Sequence, residues 1–175
     1  MELQPEHLRN TLAELHPLRP GDFEELYDVA SDPLIWEQHP NPDRYKREVF
    51  TIFFEGAMAS GGAFIIRDPL SGIAIGCTRF YDHFPEYCEV KIGYTFFDRA
   101  CWGRSINDAV KTLMLEHAFR YVDQVVFHVG VNNIRSQKAM EKLGAVRIGE
   151  EDIAYHGERK IRNIVYRILK ADRCA

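Results

Sequence analysis

The stretch from Phe96 to Phe119, "FFDRACWGRSINDAVKTLMLEHAF", decides how the chain folds. An apolar, strand-like run stops at Asp98 and a short Arg-Ala-Cys-Trp-Gly-Arg-Ser segment follows. A helix then starts at about Ser105, with Ile106, Ala109, Val110, Leu113 and Phe119 among its apolar positions. A strand that feeds a helix through a tight loop presents unpaired backbone N–H groups at the helix N-terminus, and with the helix dipole they suit an anion such as phosphate. Gly103 permits an unusual dihedral and a close backbone approach, and Arg99 and Arg104 add positive charge on either side. Taken alone, the segment fits an ordinary strand-to-helix turn with solvated arginines better than a phosphate site. A nucleotide P-loop is excluded, because no G-x-x-x-x-G-K-[ST] occurs in the chain.

Upstream, "EYCEVKIGYTFF" alternates, which predicts a strand with Cys88, Val90, Ile92, Tyr94 and Phe96 on one face and Glu89, Lys91, Gly93 and Thr95 on the other. Before it, "AFIIRD" and "IAIGCTRFY" read as strands joined by the turn residues of "PLSG". Downstream, "QVVFHVGV" is a short continuous apolar run, as expected of a strand buried on both faces. "NIRSQKAMEKLGA" is a second helix stopped by Gly144, and "AVRIGEEDIAYH" and "RKIRNIVYRILK" form a hairpin around "HGE". In the N-terminal third, residues 1–13 read as a polar tail and "LHPLRP" as a first strand. "GDFEELYDVASD" is a helix capped by Asp22, and "DRYKREVFTIFFEGAMA" is a helix ended by "SGG". The order β-α-α-β-β-β-α-β-α-β-β gives an α+β, or mixed α/β, class. Its one strand-helix-strand crossover places the Trp-Gly-Arg-Ser loop at a strand's carboxyl end, where open sheets hold ligands.

At 175 residues, with no linker or repeat, the chain is expected to form one domain over 1–175. Lys plus Arg number 22 against 26 Asp plus Glu, a net charge of −4, which argues against nucleic acid or an anionic membrane as partner. The four cysteines, Cys77, Cys88, Cys101 and Cys174, show no C-x-x-C spacing, so no metal is expected. No run approaches the ~18 apolar residues of a membrane span. The N-terminus lacks a signal-peptide pattern, so the chain is read as cytoplasmic.

A second segment, "VNNIRSQKAMEKLGA" (Val131–Ala145), holds Asn133 as a candidate N-cap and Ser136 in the first turn, with Lys138, Glu141 and Lys142 on a polar face. In this order and spacing, the two segments resemble the GNAT superfamily of CoA-dependent N-acetyltransferases, in particular its RimJ/RimL-type branch. The likeness runs from "LRPGDFEELYDVASDP" to the terminal hairpin. The resemblance implies a central mixed, mostly antiparallel sheet with a splayed parallel strand pair and about four flanking helices.

It also implies acetyl-CoA as co-substrate. Backbone groups of Tyr94, Thr95 and Phe96 would bond the pantetheine arm. The pyrophosphate would lie on the N–H groups of Gly103, Arg104, Ser105 and Ile106 beside Trp102, with Arg99 and Arg104 adding charge. Asn133 would contact pantetheine, Ser136 would donate a proton to the leaving thiolate, and Arg135 and Lys142 would meet the 3′-phosphate. The acceptor would be a primary amine, on a protein N-terminus or a small molecule. It would attack directly in a ternary complex, and a homodimer is left open. The loop departs from the family's [QR]-x-x-G-x-[GA] pattern, with Ser105 for a glycine and Asn107 for the final Gly/Ala. Serine keeps the backbone donor if its dihedral angles stay ordinary. Lys91 stands where many relatives carry a glutamate base, and a lysine takes an amine's proton only if its pKa is strongly lowered, for instance by burial. Glu89, His83 and His128 are the other candidates; Lys91 could instead select an acidic substrate or form a salt bridge. Trp36 and Tyr155 are candidates for the acceptor opening. The alternative reading is a CoA-binding sensor or scaffold without transferase activity.

Overall fold

The computed structural model describes residues 1–6, 8–154, 156–157 and 160–173. The strands are β1 (Leu8–Arg9), β2 (Glu14–Pro17), β3 (Ala63–Arg67), β4 (Ala74–Phe84), β5 (Glu89–Phe97), β6 (Gln124–Gly130), β7 (Val146–Ala154) and β8 (Lys160–Leu169). They form a sheet of order β1-β2-β3-β4-β5-β6-β8-β7, in which only β5 and β6 pair in parallel. Four α-helices lie among the described residues: α1 (Phe23–Ala30), α2 (Arg47–Ala59), α3 (Ile106–Ala118) and α4 (Ile134–Lys142).

Strand alternation sends side chains to two separate apolar layers. Phe64 and Ile66 of β3 join Val110, Met114 and Ala118 of α3 and Met140 of α4 on one face. Ala63 and Ile65 join Leu26 of α1 and Phe50, Phe53 and Phe54 of α2 on the other. β6 is buried on both sides, as its apolar run predicts, with Val125, Val126 and Phe127 nearly inaccessible.

β5 does not keep the single alternation expected of it. Val90 and Ile92 face α3, whereas Tyr94 and Phe96 pack with the α1–α2 layer. The cause is a bulge: Cys77 pairs with Phe96 but Arg79 with Gly93, so β5 carries one residue more than β4 across this interval. Tyr94 absorbs it in the left-handed region at φ 54°. Cys88, also left-handed at φ 48°, precedes the strand and is exposed.

Three further expectations change at the N-terminal side. The described residues of the expected polar tail, 1–6 and 8–13, are tied to the fold: β1 pairs with β2, Met1 and Leu3 pack on the core, and the His117 ring nitrogen bonds Glu2 O at 2.8 Å. Asp22 makes no side-chain cap to α1; its carboxylate accepts from Arg19 N at 2.7 Å, one turn earlier. The second helix starts at Arg47 rather than Asp43, because Lys46 is extended and separates it from a 3-10 turn over Pro42–Tyr45.

Candidate active site

β5 and β6 share only three pairs, Glu89–Gln124, Val90–Val125 and Lys91–Val126. Beyond them the strands part, and their backbone groups lose the partners that a continuous ladder would supply. A cavity of about 420 Å³ occupies the opening. Its walls are residues 92–97 of β5 and Phe127–Gly130 of β6, and it continues to the α3 N-terminus, to α4, and to the loop carrying Ile35, Trp36, His39 and Arg44.

The loop at the mouth is built to leave donors free. Asp98 closes a 3-10 turn by accepting from Ala100 N at 2.8 Å, and Gly103 follows at φ 76°. Ser105 caps α3 in the left-handed conformation (φ 59°, ψ 9°) without a side-chain cap bond. Its dihedrals are therefore not ordinary. Serine takes the geometry that suits glycine, at a cost of roughly 1–2 kcal/mol. The first N–H groups of α3 have no intrahelical acceptor, although Arg104 N–H turns back to Cys101 O at 3.4 Å. Beside them Asn107 holds a buried side-chain amide nitrogen with no hydrogen-bond partner among the described residues. An uncapped helix N-terminus next to an orphaned donor fits an anionic group such as a pyrophosphate.

Of the residues expected here, Tyr94, Thr95, Phe96, Trp102, Gly103, Ser105, Ile106, Asn133, Arg135, Ser136, Lys142 and Trp36 line the cavity. Asn133 caps α4, its side chain accepting from Ser136 N at 3.1 Å. Arg135 lies 3.9 Å from the Trp102 ring centroid and donates to Ile35 O at 3.2 Å, so it ties α4 to both loops at the mouth. Lys142 pairs with Asp108 of α3 at 2.5 Å. Trp36 is core and cavity wall at once: it is 2% exposed, donates to Ala30 O at 2.7 Å and packs against Phe96.

Others stand apart. Arg99 pairs with Asp32, and neither it nor Arg104 lines the cavity. Glu89 and Lys91 lie before the strands part and do not line it. Lys91 bonds Asp82 at 3.1 Å, and burial raises the pKa of the Glu89 carboxyl. His83 is likewise outside the cavity, while Tyr155 lies outside the described residues.

Two groups carry weight in the cavity wall: His128, a candidate base from the sequence, and Lys111, which the sequence reading did not single out. His128 lines the cavity with its Nδ1 3.2 Å from Tyr81 Oη, and burial pushes its pKa down to about 4, so the ring is neutral. Lys111 of α3 is 2% exposed and also lines the cavity. Its Nζ donates to Thr95 Oγ1 at 2.5 Å and Thr78 Oγ1 at 3.2 Å, and burial lowers its pKa to about 7. The sequence did carry a signal for it: three residues before Met114 and four before Leu115, it sits on the apolar stripe of its helix.

Among the described residues no group of His, Cys, Asp and Glu could hold a metal, and no helix is long and apolar enough to cross a membrane. No curated protein matches the chain. Among solved structures, a protein described as an acetyltransferase from T. thermophilus is 26% identical with a TM-score of 0.76, covering 95% of this chain and 90% of that one. Spermidine N-acetyltransferase from Vibrio cholerae, solved with CoA and spermine, shares the fold at 15% identity and a TM-score of 0.69, over 95% of this chain and 100% of that one. Mycobacterium smegmatis RimJ, solved with CoA-disulfide, does so at 16% identity and a TM-score of 0.70, over 91% of this chain and 83% of that one. The acetyltransferase (GNAT) domain family matches residues 13–146, which span β2, the parted strands, the loop and α4. With its mixed sheet, single parallel pair and flanking helices, the chain belongs to the GNAT acetyltransferase family.

Proposed function

We propose that the protein moves the acetyl group of acetyl-CoA to a primary amine, on a protein N-terminus or a small molecule, by direct attack within a ternary complex. The observation that carries this reading is the parting of β5 and β6 over a cavity that runs to the uncapped N-terminus of α3. In this reading the free backbone edge of β5 bonds the pantetheine arm as a substitute strand, and a β5 N–H polarises the thioester carbonyl. Gly103, Ser105, Ile106 and the Asn107 amide face the pyrophosphate. Asn133 and Ser136 flank the arm from α4. Holding both reactants in one cleft supplies the orientation that a bimolecular reaction in water lacks.

The acceptor approaches from the side of Trp36, His39 and Tyr81. Its proton goes to His128: Glu89 and Lys91 are not in the cavity, and the other neutral ring there, His39, has its nitrogens engaged by Asn41 N–H and Arg44. The RimJ/RimL-type branch would favour a protein α-amine.

Calorimetry with acetyl-CoA on the wild type and on Gly103→Asp tests the cradle. Micromolar binding that the substitution abolishes supports it, since a carboxylate would then face the phosphates. Thiol release with a panel of amines follows. Absence of binding to the wild type would return the loop to an ordinary turn. Tight binding without turnover on any amine would favour a CoA sensor.

A further inference from the structure

Resting on that reading, we infer that Lys111 is the proton donor to the departing CoA sulfur. Lys111 lines the cavity, and its Nζ is held by the hydroxyls of Thr78 and of Thr95 on β5, the strand along which the arm would run. A lysine this deeply buried normally has a carboxylate beside it. Here the groups around the amine are neutral: the Thr78 and Thr95 hydroxyls bond it from β4 and β5, and the Cys77 thiol lies nearby on β4. Cys77 is the one titratable group acting on it, and burial pushes that thiol up to about 12, so it stays protonated.

The hydrogen-bond count agrees with a group that changes charge. Two acceptors satisfy both donors of a neutral amine, whereas an ammonium has a third N–H and needs another acceptor. A sulfur that has just gained an electron pair is such an acceptor. Burial brings the lysine pKa to about 7, below the ~8.5 of an ordinary thiol, so transfer to a thiolate runs downhill. A serine hydroxyl such as that of Ser136 can hydrogen-bond the thiolate but is far too weak an acid to hand over its proton.

The step balances. As the C–S bond breaks, its electron pair stays on sulfur. One Nζ–H bond breaks and an S–H bond forms, leaving Lys111 neutral and CoA as the thiol. The proton lost by the attacking amine leaves through His128, and Lys111 regains one from solvent before the next turnover.

The first test compares affinities for CoA and desulfo-CoA, which lacks the sulfur, so no acceptor amine is needed. Wild type should bind CoA about fivefold more tightly. The ratio should be largest between about pH 7 and 8.5, where amine and thiol share one proton, and fall on the alkaline side. In Lys111→Met the ratio should drop to about one while desulfo-CoA affinity is unchanged. A wild-type ratio of one at every pH, or equal weakening of both ligands in the variant, would overturn the inference. The wild-type pH series decides the matter even if the variant fails to fold. Binding of neither ligand by the wild type would instead sink the CoA reading itself.

With an accepted amine, kcat should fall about 100-fold in Lys111→Met at unchanged KM for acetyl-CoA. It should also fall in Lys111→Arg, which keeps the charge but is too weak an acid. An unchanged kcat in either folded variant would overturn the proton-donor role.

Discussion

Replacing Lys111 by methionine should make the protein more stable, and the gain should depend on pH in a way no surface substitution would reproduce. The unfolded chain holds the lysine proton up to about pH 10.5, while burial lowers the folded-state pKa to about 7. Above pH 10.5 both states are neutral and the group contributes nothing. As pH falls from 10.5 to 7 the unfolded state binds a proton that the folded state refuses, so stability drops by about 1.4 kcal/mol per pH unit. Below pH 7 both states are charged and the penalty stays constant. The difference, 10.5 less about 7, corresponds to a full penalty on the order of 5 kcal/mol, large beside the roughly 5–15 kcal/mol that stabilises a typical protein.

Methionine is close in length, fills the same space and titrates nowhere. Thr78 and Thr95 keep each other as partners, their hydroxyl oxygens being 2.8 Å apart. Urea melts at pH 7.5, 8.5 and 9.5 would measure the difference between variant and wild type. Every other titrating group cancels in it to first order. The variant's advantage should shrink by about 2–3 kcal/mol across that range. Parallel curves would show that the lysine keeps an ordinary pKa in the fold and would refute the burial argument.

Three other outcomes follow from the geometry. Ser105→Gly removes left-handed strain of roughly 1–2 kcal/mol and adds about 0.5–1 kcal/mol of backbone entropy, so the melting temperature should rise by about 1–3 °C with acetyl-CoA affinity retained; a fall would mean that serine is not strained there. Asn133→Ala deletes the α4 cap and should cost about 1 kcal/mol in a urea melt, an unchanged midpoint counting against the cap. His128→Gln should slow amine-dependent thiol release about 100-fold. Because burial holds the imidazole pKa near 4, the wild-type rate should show no rising histidine limb between pH 6 and 8, only the fall that titration of Lys111 near 7 produces; a rising limb that His128→Gln removes would disprove its neutral state.

Much of the architecture was legible along the chain because it is local. Apolar patterning marked β3, β4 and β6, Gly144 marked the end of α4, and the loop segment announced a strand feeding a helix. Asn133 capped its helix as its residue type suggests. The β5 alternation failed at Tyr94, since a bulge depends on which residue the neighbouring strand offers opposite, and no single strand records that. The N-terminal tail misled for the same reason: its polar residues bond groups more than fifty positions away, Gln4 to Ala63 O and Asn10 to Ala109 O.

By itself, then, the amino-acid order determined most of the elements, the glycine loop and the motifs of the family likeness, which depend on neighbours within a few positions. Only the tertiary structure decided which charges matter. Lys91, placed by the motif, is bound to Asp82 outside the cavity, and Arg99 is spent on Asp32. Lys111, one polar residue in an apolar stripe, became the buried amine of the cleft. A side chain's charge depends on the solvent and partners that packing removes or supplies, and those come from elements distant in sequence.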